Sequence, residues 1–505
     1  MLMHTLLLDG ANRFPERDCF HWVDRDKGMS YAAAAAAMDR MAGALHHLGV
    51  RKGDRVTVFA HNGLDYLLTM LGCWRIGAIA ALVNVKFADE LDYYFADHEP
   101  TLVVYTHDMV APVRAAAAKV SSITGLVCMD GPQEGAHSLP DLLAADFPPP
   151  PDPGDESAIA HLSYTSGTTG RPKGAALCHE PTVRASKCIA ERLGIDASDI
   201  SFGPSALSSS YQLVGNLLPQ LSRGAAINIM GRWTAETGFD AIMARGATML
   251  IANPPILQDL LTVARARGVV PPKLRMSLSG GGPVAPQLKA AWHEDLGLPL
   301  VESYGQSELG GFVALGLPRM DRLDVTTRRV GRPLPDKEVR ILTRQGTELP
   351  VGSVGEIAIR GGYMAGYWGK PDKTAEAIHD GWLWTGDLGS IDPDGFVTMR
   401  GRRSELITVS DRDWYPRDVE EALCAHPDIE QAAVVGVPDA ELGNRPVAFV
   451  QTVAQPDLPA LKALAAGSLP YDLTPMQIIA LAQLPMTPTG KIAKADLSAR
   501  ARAAS

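Results

Sequence analysis

One string restricts this chain more than any other: Tyr164-Thr-Ser-Gly-Thr-Thr-Gly-Arg-Pro-Lys-Gly174, which grows out of the apolar run AIAHLSY. A short apolar run bounded by turn formers reads as a buried strand. The loop after it is built from small hydroxyl residues and glycines, so its backbone N–H groups can converge on phosphate oxygens. Thr165, Ser166, Thr168 and Thr169 each offer a hydroxyl, Gly167 and Gly170 free the backbone, and Lys173 adds a point charge. A Walker-type loop needs Ser or Thr after the lysine to hold Mg2+. Here Gly174 follows, so a metal ligand must come from elsewhere.

The surroundings read as α/β. SYAAAAAAMDRMAGALHHLGV (30–50) is an Ala-rich helix with a glycine stop. DRVTVFA reads as a strand, LDYLLTMLGCWRIG as a helix, AIAALVNV as a strand, and TLVVYTHD and ITGLVCMD repeat the strand pattern. Strands alternating with helices imply largely parallel sheets. The stiff run Phe147-Pro-Pro-Pro-Pro-Asp-Pro-Gly154 is expected to separate two α/β subdomains, the second covering about 157–325. Short strands spaced by Gly and Pro over 330–400 suggest a small β-rich subdomain, and a compact α+β region begins near 405. A chain of 505 residues exceeds what one core usually serves, so a large domain with a smaller one is expected.

The net charge of −10 argues against a nucleic-acid partner, although a local positive site still suits an anionic substrate. The six cysteines, at 19, 73, 128, 178, 188 and 424, show no CxxC spacing and fit a reducing cytoplasm. The N-terminus lacks the basic start of a signal peptide. Arg75 interrupts the most apolar stretch, and no segment reads as a membrane span.

The glycine-rich string resembles the signature of the adenylate-forming superfamily: acyl- and aryl-CoA synthetases, adenylation domains and luciferases. Further strings follow in that family's order. Leu278-Ser-Gly-Gly-Gly-Pro-Val284 resembles its glycine turn beside adenine, with Gly280, Gly281 and Gly282 permitting close backbone approach. Ser303-Tyr304-Gly305-Gln306-Ser307-Glu308 resembles YGxTE. The resemblance implies that Tyr304 flanks adenine, that Ser307 stands where Thr is usual, and that Glu308 holds Mg2+. Gly381-Trp-Leu-Trp-Thr-Gly-Asp387 resembles GWxxTGD, which implies that Asp387 accepts hydrogen bonds from both ribose hydroxyls. Gly401-Arg-Arg-Ser-Glu-Leu-Ile407 resembles the interdomain stretch, with Arg402 on ribose and Ser404 at the hinge. Pro488-Thr-Gly-Lys-Ile492 resembles the C-terminal lysine loop.

The resemblance thus implies an AMP-binding domain over 1–400 and a mobile lid over 401–505 carrying catalytic Lys491. The implied reaction joins a carboxylic acid to ATP as acyl-AMP, releases pyrophosphate, and passes the acyl group to coenzyme A. Lys491, Lys173 and the metal at Glu308 would supply the charge that two approaching anions require. The resemblance leaves room for a homodimer.

The acyl pocket is expected from Ser208, Ser209, Tyr211 and Gly215 on one segment and Gly305, Leu309, Gly310 and Phe312 on another. Neither piece carries Arg or Lys, which disfavours a dicarboxylate. SSSYQ is equally a helix start, because Ser is a good N-cap. Three features depart from the family pattern: Ser404 at the hinge, Ser410-Asp-Arg-Asp-Trp414 in place of a GGENI-like run, and Tyr471-Asp472-Leu473 where a lysine is common. The 410–416 string also resembles that of fatty acyl-AMP ligases, so loading of an acyl carrier protein stays open as the alternative to coenzyme A. The chain is short for that group and lacks room for its extra insertion.

Overall fold

The computed structural model describes residues 1–165, 171–316, 329–452, 456–486 and 492–503. They form two compact units. One holds most of the chain up to Val339 together with Ile359–Leu383; the other holds Arg340–Ala358 and the chain from Trp384 onward.

The first unit contains two sheets. In one, the strands His137–Ser138, Gly125–Cys128, Leu102–Tyr105, Arg55–Phe59, Ile79–Leu82 and Ile159–Tyr164 lie side by side and parallel. Gly174–Cys178 and then Gly366–Tyr367 extend this sheet antiparallel. The other sheet runs parallel from Asp18–Trp22 through Ala226–Ile229, Ile200–Gly203, Met249–Ala252 and Met276–Ser279 to Leu300–Gln306. Gly311–Leu315 and Arg329–Pro333 continue it antiparallel.

The Ala-rich segment forms the helix Tyr31–His47, with the Ser30 hydroxyl accepting the Ala33 N–H at 3.3 Å as an N-cap. It packs against the helix Leu64–Arg75 so closely that a Cβ on Gly72 would lie 2.8 Å from Met41 Cγ.

The proline-rich connector does not divide the two sheets. Asp18–Trp22, which precedes it, pairs in the second sheet, and Ile159–Tyr164 and Gly174–Cys178, which follow it, complete the first. The connector is also packed rather than free. Phe147 stacks on His47 at 3.7 Å, and the Pro150 carbonyl accepts from Arg75. The physical reason is that both faces and both edges of the buried strand Ile79–Leu82 need cover. Its second partner is supplied by a strand far along the chain.

In the second unit Ile429–Asp439 and Gly443–Thr452 pair antiparallel, and Gln477–Leu481 joins the latter in parallel. Alternation sets its two cores. Ala432 and Val434 face Val419, Leu423 and Leu461, from the helices Pro416–Cys424 and Leu458–Ala466. Ala433, Val435 and Val437 face Leu497 and Ala501 of the helix Lys494–Ala503. The hairpin Ile407–Val409 with Arg412–Trp414 turns through Ser410 and Asp411, both at positive φ (46° and 64°), as a two-residue hairpin turn requires. Among the described residues no helix is long and apolar enough to cross a membrane.

Candidate active site

The strand Ile159–Tyr164 delivers the glycine-rich string, of which Ser166, Gly167, Thr168, Thr169 and Gly170 lie outside the described residues. Its two ends are held together. The Thr165 N–H donates to the Lys173 carbonyl at 3.0 Å, and the Lys173 N–H reaches the Thr165 hydroxyl at 3.4 Å. Beneath it lies a polar network that the sequence reading missed. The Tyr164 hydroxyl donates to Asp97 at 2.9 Å and lies 2.9 Å from His98 Nδ1, while His98 Nε2 meets the Thr57 hydroxyl at 2.6 Å. Lys370 pairs with the same Asp97. Burial pushes His98 down to about 3, so the imidazole is neutral.

The strand Gly366–Tyr367 brings a second unforeseen residue. The Tyr367 hydroxyl donates to Glu308 Oε1 at 2.8 Å, and the Lys173 ammonium sits 4.7 Å from the centroid of its ring. Glu308 itself is the middle residue of the short turn Ser307–Leu309, just past the strand Leu300–Gln306 that carries Ser303, Tyr304 and Gly305. In the sequence Tyr367 stands only in the run Gly366-Tyr-Trp368, which fixes no role for its ring.

The expected acyl and adenine residues meet in this unit. Tyr211 is buried and donates to the Leu278 carbonyl at 2.7 Å. Its ring lies 5.8 Å from that of Phe312, tilted by 41°. A Cβ on Gly215 would come within 2.8 Å of Phe312. One on Gly280 would come within 2.4 Å of the Ser303 hydroxyl, which bonds the Ser279 carbonyl. One on Gly305 would strike the Gly311 carbonyl at 2.6 Å. Gly281 takes the left-handed conformation, φ +80°, and Gly282 has open space beside it. Leu309 is buried, and Gly310 turns the chain at φ +54°.

The serines divide their work. Ser209 is exposed and caps the helix Ser210–Gln212, Ser208 is half-buried beside it, and Ser210 reaches Ser307 at 3.3 Å. The sequence reading had not singled out Ser210. The helix continues as a wide π turn over Leu213–Leu217, a distortion frequent at functional sites.

In the second unit Asp387 and Arg402 occupy opposite positions on the paired strands Trp382–Ile391 and Val397–Arg402. Ser404 is exposed in the turn Arg403–Glu405. Arg403 pairs with buried Glu356. Lys491 lies outside the described residues; Lys494, three positions on, pairs with Glu405 at 2.6 Å and Glu420 at 2.8 Å.

Residues 7–368 match the family described as AMP-binding enzyme, and residues 418–491 match its C-terminal domain. The chain belongs to the AMP-binding enzyme family. Within this adenylate-forming family it falls in the CoA synthetase branch. A feruloyl-CoA synthase of Amycolatopsis sp. is 31% identical, with 94% of each chain covered. The fatty acid–[acyl-carrier-protein] ligase ScoC of Streptomyces coeruleorubidus is 30% identical over 94% of this chain and 91% of its own. The crystal structure of ATP-bound MatB from Rhodopseudomonas palustris superposes with a TM-score of 0.90 at 27% identity, covering 99% of each chain. This AMP-binding enzyme is an acid–thiol ligase that uses ATP and coenzyme A.

Proposed function

We propose that this ligase activates a compact monocarboxylic acid, aryl or branched, with no second charged group, as its acyl-adenylate and then forms the thioester of coenzyme A. The observation that carries the reading is the gathering of Lys173 and Glu308 on the one side chain of Tyr367, at the foot of the glycine-rich string. The acid faces Tyr211, Gly215, Gly305, Leu309, Gly310 and Phe312, with Ser208 and Ser209 at the rim. Two packed aromatic rings and several glycines make a flat, closed pocket end, and 204–215 and 309–312 carry no cationic side chain to bind a second carboxylate.

Glu308 is the fitting ligand for Mg2+, which takes few protein carboxylates and completes its shell with phosphate and water. Bound there, Mg2+ would neutralise phosphate charge as pyrophosphate departs. Thr165, Ser166, Gly167, Thr168, Thr169, Gly170 and Lys173 hold the leaving pyrophosphate. Gly280, Gly281, Gly282, Ser303, Tyr304, Gly305 and Ser307 cradle adenine, and Asp387 and Arg402 take the ribose. Lys491 bridges the carboxylate and the α-phosphate, stabilising charge as the acyl–phosphate bond forms. The lid over 401–505 pivots at Ser404, whose exposure in a short turn suits a hinge, and admits the thiol after adenylation over the 1–400 body. Six free cysteines suit a reducing, cytoplasmic setting.

The test is acid-dependent exchange of pyrophosphate into ATP across a panel of acids, followed by thioester formation read by mass. We expect aryl and short branched acids to support exchange and coenzyme A to be acylated. Exchange only with dicarboxylates would overturn the pocket reading. A second reading, loading of a carrier protein, draws on the similarity to ScoC and on the 410–416 string. Acylation of a phosphopantetheinyl carrier but not of coenzyme A would establish it.

A further inference from the structure

We propose that Tyr367 is a positioning residue that holds the phosphate-binding cation and the metal-binding anion of this site apart and aims each at its own target. The proposal rests on the reading of Glu308 as metal ligand and of Lys173 as phosphate ligand. Tyr367 pairs with Ala175 across antiparallel strands, so its backbone is locked next to the last residues of the glycine-rich string. From there one side chain serves two partners. Its hydroxyl donates to Glu308 Oε1 at 2.8 Å, and its ring carries the Lys173 ammonium 4.7 Å from the centroid.

The chemistry of the two contacts differs. A phenol donor orients a carboxylate and fixes which oxygen it offers, as hydrogen-bond partners behind metal ligands do. A ring face attracts an ammonium without neutralising it. Opposite charges gathered on one side chain attract each other, and a direct pair would spend each on the other rather than on ATP and its metal. The printed contacts of the Lys173 ammonium and of the Glu308 carboxylate meet at the Tyr367 side chain, one on its ring and the other on its hydroxyl. The backbone around Glu308 is tied to the same segment, since the Met364 N–H donates to the Glu308 carbonyl at 2.7 Å. The Met364 N–H thus fixes the Glu308 backbone while the Tyr367 hydroxyl fixes its carboxylate.

Two substitutions separate the contacts. Tyr367→Phe keeps the ring and removes the donor; Tyr367→Leu removes both. ATP binding is measured by calorimetry without acid substrate, first in chelator and then across a Mg2+ titration, with thermal melts as a check on folding. For Tyr367→Phe we expect metal-free ATP affinity within about twofold of the parent. The Mg2+ concentration that half-maximally enhances binding should rise about tenfold, the scale for losing a partner behind a metal ligand. Tyr367→Leu should show that rise and, in addition, a metal-free ATP affinity lowered about threefold or more. An unchanged Mg2+ titration in Tyr367→Phe would overturn the proposal, as would equal loss of metal-free affinity in both variants. Glu308→Gln separates this failure from failure of the underlying reading. If Glu308→Gln also leaves the Mg2+ titration unchanged, the metal assignment itself falls; if it alone shifts the titration, only the role of Tyr367 falls.

Discussion

Arg402 Nε lies 2.7 Å from an oxygen of Asp387, across directly opposed positions of two antiparallel strands. Asp387 is almost fully buried, while Arg402 keeps about a third of its side chain in solvent. The two residues that the sequence assigns separately to ribose are thus one element, a carboxylate held in place by a guanidinium. Arg402→Ala should cost about 2 kcal/mol by chemical denaturation, because it removes a charged partner from a buried carboxylate. Asp387→Asn keeps the shape but loses the charge, and should raise the KM for ATP about tenfold with a smaller change in stability. Denaturation curves that leave Arg402→Ala within about 0.5 kcal/mol of the parent would count against the pairing, since only peripheral surface changes stay that small.

Gly280→Ala tests how tightly the adenine turn is built. The added Cβ would meet the Ser303 hydroxyl at 2.4 Å and the Tyr211 ring at 2.6 Å. Both neighbours are buried and hydrogen-bonded to backbone, so neither yields cheaply. Overpacking of this kind costs about 1–3 kcal/mol. A lowered melting temperature together with a raised KM for the acid is expected, because Tyr211 also belongs to the proposed acyl pocket.

Much of this arrangement is legible in the chain. The helix 31–47 declares itself by alanine content and a glycine stop, and the strands 55–59, 79–82, 102–105 and 125–128 by apolar runs. The motif residues are legible through their resemblance to the family's strings, in the family's order. What sequence does not carry is pairing between distant strands. The proline-rich run 147–154 marks a crossing over the surface, but composition says nothing of which sheet receives the strand that follows. The contacts of Asp97, His98 and Tyr367 escape for the same reason. Each is an ordinary residue until a strand more than fifty positions away sets it beside Tyr164 or Glu308.

Acid should weaken the fold measurably before carboxylates titrate. His98 is pushed down to about 3, and His161 and His179 to about 4, in each case chiefly by burial. The unfolded chain protonates its histidines near pH ~6.5, whereas these three stay neutral in the native state. Their neutral form is therefore fully supported above that pH, and stability falls as pH drops from about 6.5 toward 4. Each such histidine adds a slope of about 1.4 kcal/mol per pH unit in that window. His161 is buried and, among the described residues, has no hydrogen-bond partner on either ring nitrogen, so His161→Met should flatten the acid limb by one proton. Stability measured between pH 6 and 4.5 checks this; an unchanged slope would contradict it.

Tyr164→Phe addresses the support of the phosphate loop. It removes the hydroxyl shared by Asp97 and His98 while leaving the pairing of Asp97 with Lys370. The string begins at this residue, so its loss should loosen the loop rather than abolish chemistry. We expect the KM for ATP to rise about threefold to tenfold, consistent with one hydrogen bond to a charged group. The kcat should change by less than about twofold. Steady-state kinetics with varied ATP gives both numbers.

The most direct test concerns Lys491. A rapid-quench measurement of acyl-adenylate formation, comparing the parent with Lys491→Ala, isolates the step assigned to its ammonium under the proposed function. The account predicts a fall of about a hundredfold or more, the scale of losing a donor aimed at developing charge. Transfer from preformed acyl-adenylate to the thiol should be largely retained. Adenylate formation at the parent's rate in Lys491→Ala would contradict it.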